Sequence, residues 1–206
     1  MLRIWGRANS TNVKKVLWCA DELGLPYERI DAGMEYGVVD EPRYRALNPN
    51  GLVPCLQEGD FVLWESNAIV RYLAGRHGLG TMMPKDEQAR ARADKWMDWS
   101  SLSFSAPFRE ALWNLVRAPA EQRDAAAAER GLQRCGELMA IADATLREQP
   151  YLSGDQFGMG DIPLGCIAYA WFAFPVERPP LPGLAQWYER LEQRPAYRKA
   201  VMIPLT

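Results

Sequence analysis

An α/β unit followed by an all-helical unit is the fold class that this 206-residue chain predicts. Three observations predict it. Over the first 75 residues, strand-like runs exchange with 3.6-residue periodicity in the order βαβ and then αββα, which suits a mixed four-stranded sheet with helices packed on it. At GRHGLGTMMPKDEQ (75–88) the period dissolves into glycine, proline and charge. Everything beyond reads as helix. The boundaries expected are 1–76 for the α/β unit, 77–87 for a linker and 88–206 for the helical unit.

LRIWG (2–6) alternates as a strand does. Val13, Val16, Leu17, Ala20 and Leu23 then fall on one face of a helix, which Gly24 and Pro26 close. Tyr27 to Ile30 is a second strand, 31–40 a loop, and Glu41 to Leu47 one or two helical turns. Asn48-Pro49-Asn50-Gly51 is a turn signal. Val53 to Gln57 and Phe61 to Trp64 form strands joined at Gly59-Asp60. From Glu65 the helical period returns, with Ile69, Val70 and Leu73 in one stripe.

In the second half, Glu87 to Val116 reads as one long helix bent at Pro107. Pro119 suits the first turn of the next, which runs to Glu148 with Leu132, Cys135, Met139, Ala142 and Leu146 inward. A third helix starts near Met159 and a fourth spans Leu184 to Glu192. Arg194-Pro195 breaks it before a short terminal helix. At the third start, Asp161 stands three residues after Gly158, where a carboxylate accepts the cap residue's N–H. Phe157 and Ile162 are placed to close as a hydrophobic staple. Asp161 is therefore read as structural.

The composition excludes several classes. Apolar residues at 48% and a net charge of −2 describe an ordinary globular chain without the basic footprint of a nucleic-acid binder. No run approaches the about 20 apolar residues that span a bilayer, and the N-terminus lacks a basic region followed by an apolar core. Cys19, Cys55, Cys135 and Cys166 lie far apart, without metal-ligand spacing, and suit reduced, buried thiols of a cytoplasmic protein. The single histidine, His77, excludes a multi-histidine metal site; no metal is expected.

Three stretches carry possible chemistry. GRANSTNVKKVLW (6–18) gathers Asn9, Ser10, Thr11 and Asn12 at a helix mouth where one such residue suffices as cap. If Asn12 or Thr11 caps the helix, Ser10 is free to face a ligand. Val53-Pro54 lies at a strand start that has lost a donor. A trans proline shaping a turn is the plain reading; a cis bond would instead turn the Val53 backbone outward to pair with an extended peptide. In WESNAI (64–69), Ser66 and free helix N–H groups suit a carboxylate, while Glu65 suits an ammonium group. Together these describe a site for a small γ-glutamyl peptide whose thiol lies at the first helix.

Four segments then occur in family order: NPNGLVPCL, FVLWESNAIVRYL, FGMGDIPLG and LAQWYERLEQRPAYRKAV. The chain resembles the cytosolic glutathione transferases over nearly its whole length, especially bacterial members with a Ser-type active site. The resemblance implies a thioredoxin-like, glutathione-binding domain at 1–76, an all-helical domain at 88–206 and a homodimer. It implies conjugation of the glutathione thiolate, glutathione being co-substrate, to a small hydrophobic electrophile.

Ser10, six residues before Val16, falls on the catalytic serine and Asn12 on an assisting asparagine. Val53 matches the backbone clamp, Pro54 the cis proline, and Glu65 and Ser66 the γ-glutamyl contacts. A helix N-terminus and a donated hydroxyl both favour a thiolate over a thiol. Phe104, Phe108, Trp113 and Trp171 are expected to form an aromatic pocket for the electrophile, although any one of them also suits ordinary core packing. Arg109 and Arg117 could reach a carboxylate, although such arginines are more often solvated.

Four positions depart from the family pattern. Leu52 stands where relatives place Gln, Lys or Arg, and Val39 and Asp40 stand where some place basic residues. Gly158 replaces a Ser or Thr cap. A glutathione-dependent disulfide or peroxide reductase and a non-catalytic binding module are the alternatives; a disulfide substrate assay and a glutathione titration separate them.

Overall fold

The structure is a computed structural model and describes residues 1–205. Strand β1 (Leu2–Trp5) buries Leu2 and Ile4 on one face, as its alternation requires. It pairs in parallel with β2 (Tyr27–Ile30) and antiparallel with β3 (Cys55–Glu58), which pairs antiparallel with β4 (Phe61–Trp64). The sheet order is β2-β1-β3-β4, mixed as the pattern predicts. β3 begins at Cys55, opposite Trp5, and not at Val53 as expected. Pro54 has no N–H to give the ladder, so pairing starts after it.

Helix α1 (Thr11–Glu22) follows β1 through Gly6, at φ +148°, where an added Cβ would stand 2.4 Å from Val13 Cγ2. Only glycine admits that approach. The expected apolar stripe is present, but the helix is buried on every side from Val13 to Ala20, Lys14 and Lys15 included. Helix α3 (Ser66–His77) covers one flank; helices of the second half cover another. Helix α2 (Pro42–Leu47) and a 3-10 turn at Met34–Tyr36 lie between β2 and β3.

Helix α4 (Glu87–Leu112) runs through Pro107 and continues as a wide π-helical turn at Trp113–Arg117. Helix α5 (Ala125–Leu146) starts six residues later than Pro119 suggested. Asp124 caps it by accepting from Ala127 N at 3.0 Å, and Pro119 instead precedes a 3-10 turn at Ala120–Gln122. A side-chain cap outweighs a favourable proline in setting the start. A 3-10 turn (Met159–Asp161) leads into α6 (Ile162–Ala173), followed by α7 (Pro182–Glu192) and α8 (Pro195–Ala200).

Asp161 is fully buried. It accepts from Gly158 N (3.1 Å), Leu152 N (2.7 Å), Ser153 N (3.3 Å) and Trp187 Nε1 (2.9 Å). Phe157 packs its ring 5.2 Å from that of Trp18 on α1.

The two halves are joined by polar ties over an apolar seam. Arg194 forks onto Glu22 with two bonds of 2.7 Å, Lys199 reaches Asp21 at 2.6 Å, and Arg71 reaches Asp94 at 2.5 Å. Lys14 Nζ donates to Val201 O at 2.9 Å. Within the seam Trp18 is fully buried and lies so close to Gly165 that an added Cβ would meet its ring at 2.6 Å. Burying such a side chain stabilises by about 1.5–3 kcal/mol, so the seam holds the cleft's two walls in one arrangement. Among the described residues no helix is long and apolar enough to cross a membrane.

Candidate active-site cleft

Ser10 occupies the cap position of α1 with ψ 125°, yet its hydroxyl caps nothing. Only its carbonyl joins the helix, accepting from Lys14 N at 2.9 Å. Asn12 does not cap either: its Oδ1 accepts from Ser66 Oγ at 3.4 Å. The expected division of labour is thereby changed. Neither of the two caps α1, and the Ser10 hydroxyl, in a residue 8% exposed, is left for the cleft.

At the start of α3, Glu65 has φ 72°, ψ 111°, in the region that side-chain-bearing residues rarely enter. Such backbone costs of order 1–3 kcal/mol and persists where the surroundings impose it. It turns the chain from β4 into α3 and leaves Glu65 and the buried Ser66 both lining the cleft.

The Val53-Pro54 bond is cis. The residue before it is held firmly: Leu52 O accepts from both Tyr44 Oη and Asn48 Nδ2, each at 2.7 Å. Asn48 is 2% exposed and also accepts from Asn50 N at 3.1 Å. These positioning roles were hidden in the sequence, where Asn48 reads only as a turn residue. Leu52 itself is exposed, and Asp40 is engaged by Arg45 at 2.7 Å.

Two adjoining spaces share Asn12, Glu65 and Ser66. The smaller, of about 50 Å³, is lined further by Asn48, Asn50, Leu52, Val53 and Pro54. The larger, of about 400 Å³, runs from Ser10, Thr11 and Lys15 on α1 to the α4 face carrying Ser100, Ser101, Ser105, Phe108, Arg109 and Leu112, with Arg117 and Ile167. Ser10, Asn12, Val53, Pro54, Glu65 and Ser66 are thus brought together.

The aromatic set is not. Phe108 lines the cleft, but Phe104 is fully buried and Trp171 is 4% exposed, both in the core. Trp113 is 44% exposed and lines neighbouring grooves. Periodicity could not separate these residues, because α4 packs against α5 and α6 as well as facing the cleft.

Lys15 was also missed. It is 4% exposed and lines the cleft, and burial pulls its ammonium down to about 8 despite the nearby Cys166 and Glu65. Burial likewise lowers Lys14 to about 8 and pushes Cys166 up to about 12. All four cysteines are buried and unpaired, and among the described residues no group of three or more His, Cys, Asp or Glu is placed to hold a metal ion.

A mixed four-stranded thioredoxin-like domain, joined to a helical domain across a cleft onto which two helix N-termini open, has the architecture of the glutathione transferases. The chain belongs to the glutathione S-transferase family and is an enzyme of that kind. The family's N-terminal domain model matches residues 1–75 and its C-terminal domain model residues 93–195. Glutathione S-transferase GstB of Escherichia coli (strain K12) is 48% identical over 208 residues, covering 100% of both chains. Glutathione S-transferase 3 of Zea mays is 31% identical, covering 99% of this chain and 95% of the relative. The theta class glutathione S-transferase of Xanthomonas axonopodis pv. citri, solved with glutathione bound, superposes with a TM-score of 0.97 at 54% identity, covering 100% of this chain and 99% of that one.

Proposed function

We propose that the enzyme binds glutathione across the two adjoining spaces and transfers its thiolate sulfur to a small electrophile, with Ser10 as the catalytic hydroxyl. Glutathione is the co-substrate. Its γ-glutamyl ammonium pairs with Glu65, its α-carboxylate takes the backbone N–H groups at Ser66 and the α3 N-terminus, and its cysteinyl backbone lies along Val53 before Pro54. This brings the sulfur to the mouth of α1.

The observation that carries the reading is the uncommitted Ser10 hydroxyl at one helix N-terminus, facing the same cleft as Glu65 and Ser66 at another. The sulfur gives its proton to solvent. The remaining thiolate accepts from Ser10 Oγ and sits in the positive field of α1. Asn12 assists by holding Ser66, and so the two helix ends, in place. The thiolate then forms a bond to the electrophilic carbon, and the leaving group departs with its electron pair. Phe108, Leu112 and Ile167 supply the apolar wall for that partner.

A cytoplasmic, homodimeric detoxification enzyme completes the reading. The four buried, unpaired cysteines support a reducing compartment, and light scattering tests the dimer. The decisive experiment is conjugation of a general aryl halide by the wild type and Ser10→Ala; equal turnover removes Ser10 from the mechanism.

A further inference from the structure

We propose that the second substrate carries an anionic group, a carboxylate, which seats against Arg109 while its apolar body rests on Phe108, Leu112 and Ile167. This rests on the reading that glutathione occupies the Ser10 end of the cleft. The α4 wall turns Ser100, Ser101, Ser105 and Arg109 to the cleft, where an aromatic lining was expected.

The lining's charges are unequal. Lys15, Arg109 and Arg117 stand against the single acid Glu65, whose charge the glutathione ammonium takes up. Arg109 makes no ion pair or side-chain hydrogen bond among the described residues, whereas Arg130 and Arg134 of the same helical unit pair with Glu110 and Glu137 at 3.0 and 2.6 Å. Arg117 donates to Asn9 O at 3.1 Å, which ties its guanidinium to the loop before α1.

A second observation is independent of charge. Ser100 is 2% exposed, lines the cleft, and its Oγ has no hydrogen-bond partner among the described residues. Buried hydroxyls are rarely left so, and each such group calls for a ligand or water. A neutral apolar electrophile offers Arg109 no counter-charge, whereas a carboxylate does; Ser100, nine residues earlier and about 13.5 Å along α4, marks the same wall as one of polar donors. The cations also offset the repulsion between a substrate carboxylate and the thiolate it must approach, and a cleft of one sign concentrates ions of the other.

The test compares 4-chloro-3-nitrobenzoate with 4-chloro-3-nitrobenzamide, which share ring and leaving group. Each kcat/KM is divided by the uncatalysed rate with glutathione. The expected preference for the benzoate is about tenfold, the size of one charge-assisted contact. It shrinks with added salt, collapses toward unity in Arg109→Gln, and is largely kept in Arg109→Lys. Circular dichroism checks that both variants fold. A wild-type ratio at or below one, or a ratio unchanged in Arg109→Gln, overturns the inference. If the benzamide turns over as fast as the benzoate, the transferase reading stands and only the anion subsite falls. If neither is conjugated and calorimetry detects no glutathione binding, both readings fall.

Discussion

Ser66 Oγ donates to Asn12 Oδ1 across 3.4 Å, tying the first turn of α3 to the first turn of α1. The two helices are 54 residues apart at this point, and their N-termini face one cleft. Each terminus carries the equivalent of about half a positive charge. The link holds two such ends side by side, a costly arrangement without an anion and a favourable one around a peptide with two carboxylates and a thiolate.

Ser10→Ala is expected to lower kcat about 10–100-fold, the loss of one hydrogen bond to a charged sulfur. Glutathione affinity changes by no more than about twofold, and the bound thiol's pKa, read from thiolate absorbance against pH, rises by about 1–2 units. Because the hydroxyl caps nothing, thermal stability stays close to wild type, unlike the usual loss of about 1 kcal/mol at a cap. Thr11→Ala with the larger effect on kcat would transfer the role to Thr11.

Glu65 trades backbone comfort for binding. Glu65→Gln is expected to raise the KM for glutathione about tenfold or more, and to make no difference toward a glutathione analogue lacking the α-amino group. Glu65→Gly relieves the φ of 72° and keeps stability at or above wild type while losing the same affinity. A Gly variant markedly less stable than the Gln variant would remove the strain argument.

Asp161 predicts the opposite separation. Replacing it by Ala strands four donors that are largely out of solvent. A loss of about 3–5 kcal/mol is expected, which lowers the midpoint of thermal unfolding by about 10 °C in a chain of this size. Conjugation per folded molecule should remain within about twofold at 25 °C. Loss of turnover without loss of stability would assign it chemistry.

Lys15 gives a pH signature. Its folded-state value, about 8, lies below the ordinary 10.5 because of burial. Between those two values the unfolded chain binds a proton that the folded chain does not, so this lysine makes stability rise with pH across that window. Below about 8 both states are protonated and its contribution is flat. The buried thiols push stability the other way above pH 9; because Cys166 is coupled to Lys15, Lys15→Met is compared with its parent with Cys166→Ala introduced in both proteins, and the remaining thiols are then common to the two. Urea unfolding should show the parent gaining on the Lys15→Met variant from pH 8 to 10.5. A constant difference would mean that Lys15 ionises as an exposed lysine does.

Much of the α/β half was legible because its signals are local. The periods of β1, α1, β2 and α3 each lie within a dozen residues, and Gly24-Leu25-Pro26 and Gly59-Asp60 mark their own turns. The Gly158–Asp161 contact was legible for the same reason, since both partners belong to one helical turn. The start of α5 was misread because two local signals, Pro119 and Asp124, competed.

The sequence by itself determined the order of elements, the sheet and the residues that crowd the two helix mouths, since hydrophobic period and turn chemistry act between near neighbours in the chain. Only the tertiary structure decided which aromatic side chains meet the cleft, that Lys14 and Lys15 lie inside, that Ser66 engages Asn12, and that the Ser10 hydroxyl caps nothing. These depend on which helix covers which face, and packing between segments tens of residues or more apart leaves no period along the chain for either of its partners to display.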